Sequence, residues 1–180
     1  FVTQRRLITA KTLIEDGTLL ESVATQIGFG DYSSFYRAFK QEYGISPRCH
    51  FEDITRADFY GFVVPFVNEL ERMAEDAGIP VKIRACDTMG YGVPYPEVAI
   101  PRSVPGIIYG LQHYSDVPSE MLEWHGHNDF YKAVTNASTA WMYGACAVNC
   151  SLLGIGERTG NIPLEAMIIE YASLRGSLDG

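Results

Sequence analysis

Two histidines one residue apart are the strongest candidates for chemistry in this sequence. His125 and His127 lie in the segment EWHGHND (123–129), whose pattern predicts a β-strand. Because the side chains of a strand alternate between its two faces, residues at i and i+2 point to the same face. Two imidazoles on one face form a natural ligand pair for a divalent metal ion. A single pair of this kind is more often incidental, so the residues around it decide its meaning.

The C-terminal part of the chain is predicted to alternate strands with helices. The strands are predicted at 49–55, 81–88, 123–129 and 146–153, and the helices at 65–77, 102–114, 131–143 and 163–174. Four successive βα units predict a parallel sheet that is covered by helices. Polar residues follow the strands, namely Glu52, Asp53, Arg56, Asp87, Thr88, His125, His127, Glu157, Arg158 and Asn161. Since ligands bind at the carboxyl edge of the sheet in βα folds, we expect a site at this edge.

Length, composition and charge exclude several classes of protein. The 180 residues are too few for a complete (βα)8 barrel, which takes about 250. With 47% apolar and 20% charged residues, the composition is that of a folded globular protein and excludes disorder, collagen and coiled coil. The net charge of −8 argues against a chain-wide surface for nucleic acid or membrane. The charge is uneven, because residues 1–48 carry six basic and five acidic residues, whereas the remainder carries eight and seventeen.

The first 47 residues show a helical pattern throughout. An apolar stripe from Leu7 ends at Gly17, and two further short helices are separated by the turn at 28–30. Asp31 is the expected N-cap of the last helix, Tyr32–Tyr43. Two short helices joined by a turn that contains glycine predict a helix-turn-helix.

This segment resembles the second helix-turn-helix of AraC-type transcription regulators. The matching residues are Ala24, Ile27-Gly28-Phe29, Asp31, Ser34, Phe35, Arg37, Phe39-Lys40, Gly44 and Ser46-Pro47. The resemblance implies that Tyr32, Ser33, Tyr36 and Arg37 face bases or phosphates in the major groove, and that Lys40 faces the DNA backbone. Such regulators carry two of these motifs, and only one is present here. We therefore expect DNA binding to be weak and without sequence preference.

Residues 48–180 resemble the later half of the metal-dependent Claisen-condensation and lyase barrels. This family includes isopropylmalate, homocitrate and Re-type citrate synthases and hydroxymethylglutaryl-CoA lyase. The matching motifs are EDITR (52–56), DTMGYG (87–92), HGHND (125–129) and GIGERTGN (154–161). The runs HGHNDFYKAV and PRSVPGIIYGL look closest to the Re-citrate and homocitrate branch. The predicted fold is α/β: a helix-turn-helix at 1–47, followed by a (βα)4 half of a TIM barrel with parallel strands at 48–180.

The family resemblance also implies roles for individual residues. His125 and His127 would bind a divalent metal (Mn, Co, Mg or Zn), weakly, with Asn161 as a ligand or near-ligand. Thr88 would lie near a 2-oxo acid, Arg56 would follow the ED motif, and Glu157 would meet acetyl-CoA. The family's first four barrel strands have no counterpart here, and they carry an aspartate metal ligand and an arginine. We therefore expect a truncated acyltransferase-like chain that is inactive alone.

Three interpretations of function remain open at this point. The first is a half barrel derived from an acyl-CoA condensing enzyme. The second is an AraC-like DNA-binding transcription regulator whose half barrel senses a ligand or dimerises. The third is a fusion, natural or artificial, that has no function of its own.

The sequence also carries expectations about location and association. The four cysteines are spread without a CxxC pair, which predicts reduced thiols in a cytoplasmic protein. The chain has no apolar run long enough to cross a membrane. In a half barrel the strands 49–54 and 146–153 would be unpaired edges, which invite self-association.

Overall fold

Two units, each with its own hydrophobic core, make up the chain. The computed structural model describes residues 2–43 and 46–176. One unit spans Phe1–Ser46 and the other Pro47–Gly180. We call the described parts of these the helical unit (2–43) and the half barrel (47–176). Gly44, one of the matching residues named above, lies outside the described residues.

The helical unit consists of three helices packed around aromatic and aliphatic side chains. They are α1 (Val2–Glu15), α2 (Leu20–Gln26) and α3 (Tyr32–Tyr43). The buried residues are Leu7, Ala10, Val23, Ala24, Ile27, Phe35 and Phe39. Asp31 precedes α3 as predicted, and its carboxylate accepts hydrogen bonds from the Ser34 amide at 2.7 Å and the Ser34 hydroxyl at 2.8 Å. The predicted helix-turn-helix pattern is therefore present.

The half barrel is a four-stranded parallel sheet covered by four helices. Its strands are β1 (Arg48–Phe51), β2 (Lys82–Asp87), β3 (Leu122–Gly126) and β4 (Ala147–Asn149), in the order β1-β2-β3-β4. The helices are α4 (Val64–Ala77), α5 (Val104–Tyr114), α6 (Ala133–Met142) and α7 (Leu164–Arg175). A wide π-type turn, Phe59–Val63, leads into α4. The predicted (βα)4 half barrel with parallel strands is confirmed.

The two faces of the sheet differ sharply in polarity. On one face Ile83, Ala85, Leu122 and Trp124 are fully buried in the core against the helices. The residues that alternate with them form what we call the polar face: Arg48, His50, Lys82, Arg84, Cys86, Glu123, His125 and Asn149. Since strand side chains alternate with period two, the apolar core on one face requires all of these polar residues to share the other.

Glu123 on β3 is the electrostatic centre of the polar face. Its side chain is 4% exposed, and its carboxylate binds Arg48 Nε at 2.7 Å, Arg84 Nη2 at 2.8 Å and Lys82 Nζ at 3.3 Å. Burial alone would raise the pKa of Glu123, but these three hydrogen-bonding cations outweigh burial and hold the pKa at about 2. Glu123 therefore fixes β1 and β2 to β3 while ionised.

The edge strands are shorter than predicted. β1 ends at Phe51 rather than Ile54, because Asp53 takes a left-handed backbone with φ of 61° and the chain turns away. β4 ends at Asn149 rather than Leu153, whose φ is 55°. Among residues 46–176, each edge strand pairs with a single neighbouring strand. Self-association through these edges stays a prediction.

Two smaller expectations concern thiols and membranes. All four cysteines are free, as predicted. In the part of the chain that the structure describes, no helix has the length and apolarity needed to cross a membrane.

Replacing Glu123 by Gln should destabilise the half barrel by roughly 1–3 kcal/mol at neutral pH. The loss is below that of a fully buried pair, because the Arg48 and Lys82 side chains are 39% and 31% exposed. Since the folded pKa of about 2 lies below the ordinary value of 4.5, this stabilisation is present above pH 4.5 and is lost as the pH falls through 2.

Urea unfolding followed by tryptophan fluorescence tests this, because Trp124 and Trp141 both lie in the half barrel. The difference in free energy of unfolding between the unchanged chain and Glu123→Gln should shrink as the pH is lowered from 4.5 toward 2. Glu69→Gln removes an exposed carboxylate that pairs with Arg72, and should change the midpoint little. A difference that did not depend on pH would contradict the role assigned to Glu123.

Candidate active site

The two histidines converge as their spacing predicted. His125 lies near the carboxyl end of β3 and His127 just after it, and their Nε2 atoms are 3.3 Å apart. The rings are nearly perpendicular, at 88°. Two nitrogens bound to one tetrahedral ion at about 2.0–2.1 Å would lie roughly 3.3 Å apart. The pair therefore has the spacing of two ligands of a single metal ion.

Asn149 fixes the orientation of His125. In the sheet, Asn149 on β4 is the register partner of His125, and its Oδ1 lies 2.9 Å from His125 Nδ1. If His125 Nδ1 donates to this oxygen, its Nε2 lone pair is directed toward His127. Burial lowers the pKa of His125, which keeps the imidazole neutral at pH 7 and able to bind a metal. Asn149 was not predicted as a site residue, because alternation in CAVNC does not show which of its positions pairs with His125.

Asn161, in the loop after β4, lies next to His127 along the backbone. It forms an isolated bridge with His127, and its Oδ1 is buried without a hydrogen-bond partner in the described structure, as is His127 Nδ1. Gly156 makes room for it, since a Cβ there would lie 2.6 Å from Asn161 Oδ1. Buried polar atoms without partners are costly unless a ligand or ion satisfies them. The histidine pair therefore has the spacing for a divalent ion, and the buried Asn161 Oδ1 is available as a further ligand.

Thr88 is held between two residues that follow β1. Its hydroxyl donates to Glu52 Oε2 at 2.8 Å and accepts from the Asp53 amide at 2.7 Å. The left-handed backbone at Asp53 directs this amide toward Thr88. Glu52 belongs to the ED motif but was not predicted as a site residue, because its contact depends on the register of β1 with β2.

Arg158 joins three loops at the carboxyl edge. Its Nε donates to Asp129 Oδ1 at 2.7 Å, and its Nη2 donates to the Thr88 carbonyl. The adjacent Glu157 side chain is 80% exposed and 3.6 Å from Arg158. Arg56 is exposed and paired with Asp53. The structure thus brings Thr88, His125, His127 and Asn161 to one edge of the sheet, with Arg56 and Glu157 at its exposed rim.

Buried Asp87 supports the loop that carries Thr88. It is 1% exposed, accepts from the Thr55 hydroxyl at 2.7 Å and accepts from the Gly92 amide at 2.9 Å. Burial raises the pKa of Asp87 despite these hydrogen bonds. Asp87 therefore connects the segment after β1 with the segment after β2.

The predicted DNA-facing residues of α3 fall into two groups. Tyr32, Ser33 and Arg37 are exposed, whereas Tyr36 is half-buried and stacks on Tyr32. Lys40 is only 6% exposed, and its Nζ has no hydrogen-bond partner among the described residues.

The expectation that Lys40 lies on the exposed side of α3 is wrong, because the residue is 6% exposed. Its contact with a DNA backbone stays a prediction. Lys40 follows the buried Phe39 and lies one turn after the half-buried Tyr36, at the edge of the buried side of α3. Burial lowers the pKa of Lys40.

Family comparisons match both units of the chain. Residues 36–177 match the family model described as HMGL-like, and residues 1–52 match a model described as a helix-turn-helix domain. The two matches overlap at 36–52.

Curated relatives of the chain include several synthases. The citrate (Re)-synthase of Clostridium kluyveri is 72% identical over 134 residues, which are 74% of this chain and 30% of that protein. The citrate (Re)-synthase of Syntrophus aciditrophicus is 58% identical over 76% of this chain and 22% of its own length. The 2-phosphinomethylmalate synthase of Streptomyces hygroscopicus is 42% identical over 74% of this chain and 30% of its own length. The chain thus spans less than a third of each of these relatives.

Solved structures share the fold at low identity. An HMG-CoA lyase from Bacillus subtilis has a TM-score of 0.59 and 16% identity, covering 93% of this chain and 60% of that chain. The carboxyl transferase domain of Rhizobium etli pyruvate carboxylase has a TM-score of 0.55 and 14% identity, covering 88% of this chain and 26% of that chain.

Removing the Asn149 side chain should weaken metal binding at the histidine pair. Asn149→Ala leaves His125 free to rotate, and loss of such an outer contact costs roughly 10–100-fold in affinity at metal sites. Calorimetric titration with Mn²⁺ measures this.

The control for Asn149→Ala is Asn68→Ala, because Asn68 lies on the exposed surface of α4. This control variant should bind Mn²⁺ with the affinity of the unchanged chain. A His125→Ala, His127→Ala double variant gives the background without the pair. Equal affinity in Asn149→Ala and Asn68→Ala would show that Asn149 does not position His125.

Proposed function

Since the chain belongs to the HMGL-like family, we propose that its half barrel holds one part of a metal-dependent Claisen-condensation site. The reaction would join acetyl-CoA to a 2-oxo acid, with oxaloacetate as the first candidate. This choice is supported by the two citrate (Re)-synthases at 72% and 58% identity. Because the chain spans only 30% and 22% of those proteins, the complete activity is a proposal.

One observation carries the proposal. The Nε2 atoms of His125 and His127 are 3.3 Å apart, and the backbone of His127 pairs with Asn161, whose buried Oδ1 has no hydrogen-bond partner among the described residues. A divalent ion bound there would polarise the carbonyl of the 2-oxo acid. The chain's own contribution is to orient the His125 imidazole through Asn149 and to leave room for the Asn161 side chain at Gly156.

Thr88 would contact the 2-oxo acid. Its hydroxyl has one proton, which it donates to Glu52. To donate to a substrate carboxylate, this hydroxyl must turn from Glu52 toward the substrate, while the Asp53 amide keeps its oxygen in place. In the absence of substrate, Glu52 would thus accept the hydrogen bond of the Thr88 hydroxyl and fix the position of the Thr88 side chain.

Arg56 and Glu157 would act at the rim of the site. Both are exposed, so a large substrate such as acetyl-CoA could reach them from solvent. Arg158 donates hydrogen bonds to Asp129 and to the Thr88 carbonyl. It therefore positions the Thr88 loop.

The 180-residue chain alone should not release CoA from acetyl-CoA and oxaloacetate above the uncatalysed rate. Misplacement of a reacting group by about 1 Å can cost on the order of 10²-fold, and the family's aspartate and arginine from the first strands have no counterpart in residues 1–180. Addition in trans of the barrel's first half from the Clostridium kluyveri relative should restore metal-dependent CoA release.

The matched variants for this assay are His125→Ala and His113→Ala. His125→Ala should abolish the restored release. His113→Ala should retain it, because His113 is exposed on α5 and stacks on Tyr109. Metal-dependent release by the chain alone that is lost in His125→Ala would instead show that the half barrel is competent. No release after the other half is added would contradict the proposed function.

Weak DNA binding by the helical unit is a second candidate function. It is supported by the helix-turn-helix match at 1–52 and by the exposure of Tyr32, Ser33 and Arg37 on α3. With Lys40 buried, few phosphate contacts remain on this helix. Affinity at physiological salt should therefore lie in the non-specific range.

Arg37→Ala should weaken DNA binding about equally for unrelated duplexes. It should also reduce by about 1 the slope of the logarithm of the binding constant against the logarithm of the salt concentration. Fluorescence anisotropy with several duplexes at two or more salt concentrations measures both quantities. Arg72→Ala, which removes a cation from α4 outside the helical unit, should have no effect. A loss of about 1–3 kcal/mol for one sequence alone would show base readout and contradict non-specific binding.

A further inference from the structure

A second group of metal-binding side chains lies on the polar face, on the two strands next to the histidine pair. His50 and Glu52 belong to β1 and the residue just after it, and Cys86 belongs to β2. One ligand atom from each of the three lies within 4.8 Å of the others. The sequence analysis did not identify this group, because Cys86 is 34 or more residues from His50 and Glu52 and meets them only through the pairing of β1 with β2.

We infer that His50, Glu52 and Cys86 form a second metal site, which binds a thiophilic divalent cation such as Zn²⁺ or Co²⁺. The donor set is one imidazole nitrogen, one carboxylate oxygen and one sulfur. This is the mixed set that zinc accepts in proteins, whereas Mg²⁺ and Ca²⁺ prefer oxygen ligands. Three protein ligands leave a fourth position for water or another small ligand.

The carboxylate of Glu52 is divided between two tasks. Its Oε2 accepts the Thr88 hydroxyl at 2.8 Å, whereas its Oε1 faces His50 Nδ1 at 3.8 Å. At 3.8 Å the two atoms are too far apart for a hydrogen bond, and they need to approach by only about 0.5 Å to reach the spacing of two ligands of one tetrahedral ion. Oε1 can therefore bind a cation while Oε2 still holds Thr88.

The site is separate from the histidine pair. Cys86 is the register partner of His125, so the two groups are neighbours. However, His125 Nδ1 faces Asn149 and its Nε2 faces His127, which leaves no imidazole nitrogen of His125 for the cysteine group. The inference therefore does not depend on the proposed condensation reaction.

Charge and access also permit a cation here. Arg84 is the register partner of His50 on β2. Its guanidinium donates to Glu123 at 2.8 and 3.0 Å, so the positive charge of Arg84 is already paired. The His50 and Glu52 side chains are 44% and 59% exposed, which gives an ion a path from solvent. Burial raises the pKa of the Cys86 thiol, so a metal must displace its proton, which is released to solvent.

Cobalt spectroscopy on the full chain distinguishes this site from the histidine pair. A thiolate bound to Co²⁺ produces a near-ultraviolet charge-transfer band that nitrogen and oxygen ligands do not. We expect this band in the unchanged chain and in the His125→Ala, His127→Ala double variant. Its absence from the unchanged chain, or its loss in the double variant, would overturn the inference.

Cysteine variants identify the sulfur. Cys86→Ser should lose the band, whereas Cys146→Ser, which removes an exposed thiol just before β4, should keep it. Retention of the band in Cys86→Ser, or its loss in Cys146→Ser, would assign the sulfur elsewhere and overturn the inference.

Two exposed ligands allow a test that does not disturb the core, where Cys86 is fully buried. His50→Ala and Glu52→Gln should each raise the Co²⁺ concentration needed for half of the band by at least about 10-fold, the lower end of the loss seen for outer contacts at metal sites. Unchanged titrations in both variants would overturn the inference. Failure of Mn²⁺ to bind at His125 and His127 would count against the proposed function alone.

Discussion

The parallel, in-register pairing of four strands is the constraint on which the rest of the half barrel depends. One face of the sheet must carry the apolar core, which includes Ile83, Leu122 and Trp124. The alternating residues are then forced onto the other face, level with one another across the strands. Cys86, His125 and Asn149 are neighbours for this reason alone. The same pairing ends all four strands near one edge, where the loops carrying Thr88 and Asn161 meet.

A face this polar requires internal compensation, because buried charges are costly unless they are paired. Glu123 supplies it for three cations from β1 and β2, and its own pKa of about 2 shows how strongly they favour its ionised form. Closer to the carboxyl edge the compensation is incomplete: His127 Nδ1 and Asn161 Oδ1 are buried without partners in the described residues. The ionic group around Glu123 is therefore satisfied within the protein, whereas the unpartnered atoms near the carboxyl edge are available to a ligand.

Local patterns in the sequence were enough to predict the elements and the histidine pair. Alternation in EWHGHND placed His125 and His127 together, and capping by Asp31 defined the start of α3. Asn149, Glu52 and the His50–Cys86 contact could not be found this way, because each depends on which residue of one strand pairs with which residue of the next. The exposure of Lys40 was overestimated, because the position of a residue on a helix does not show how much of its side chain the neighbouring residues cover. The lengths of the two edge strands were overestimated, because Asp53 and Leu153 take left-handed backbone conformations beyond the ends of β1 and β4.

Nitrogen coupling to a bound manganese ion tests most directly whether His125 and His127 share one metal. Electron spin echo envelope modulation can be recorded on the chain with one equivalent of Mn²⁺, after labelling with ¹⁵N-histidine. Coupling from two histidine nitrogens is expected, falling to one in His125→Ala or His127→Ala, and unchanged in His113→Ala. A spectrum without histidine coupling, or one that is unaffected by both single variants, would contradict a shared metal at this edge of the sheet.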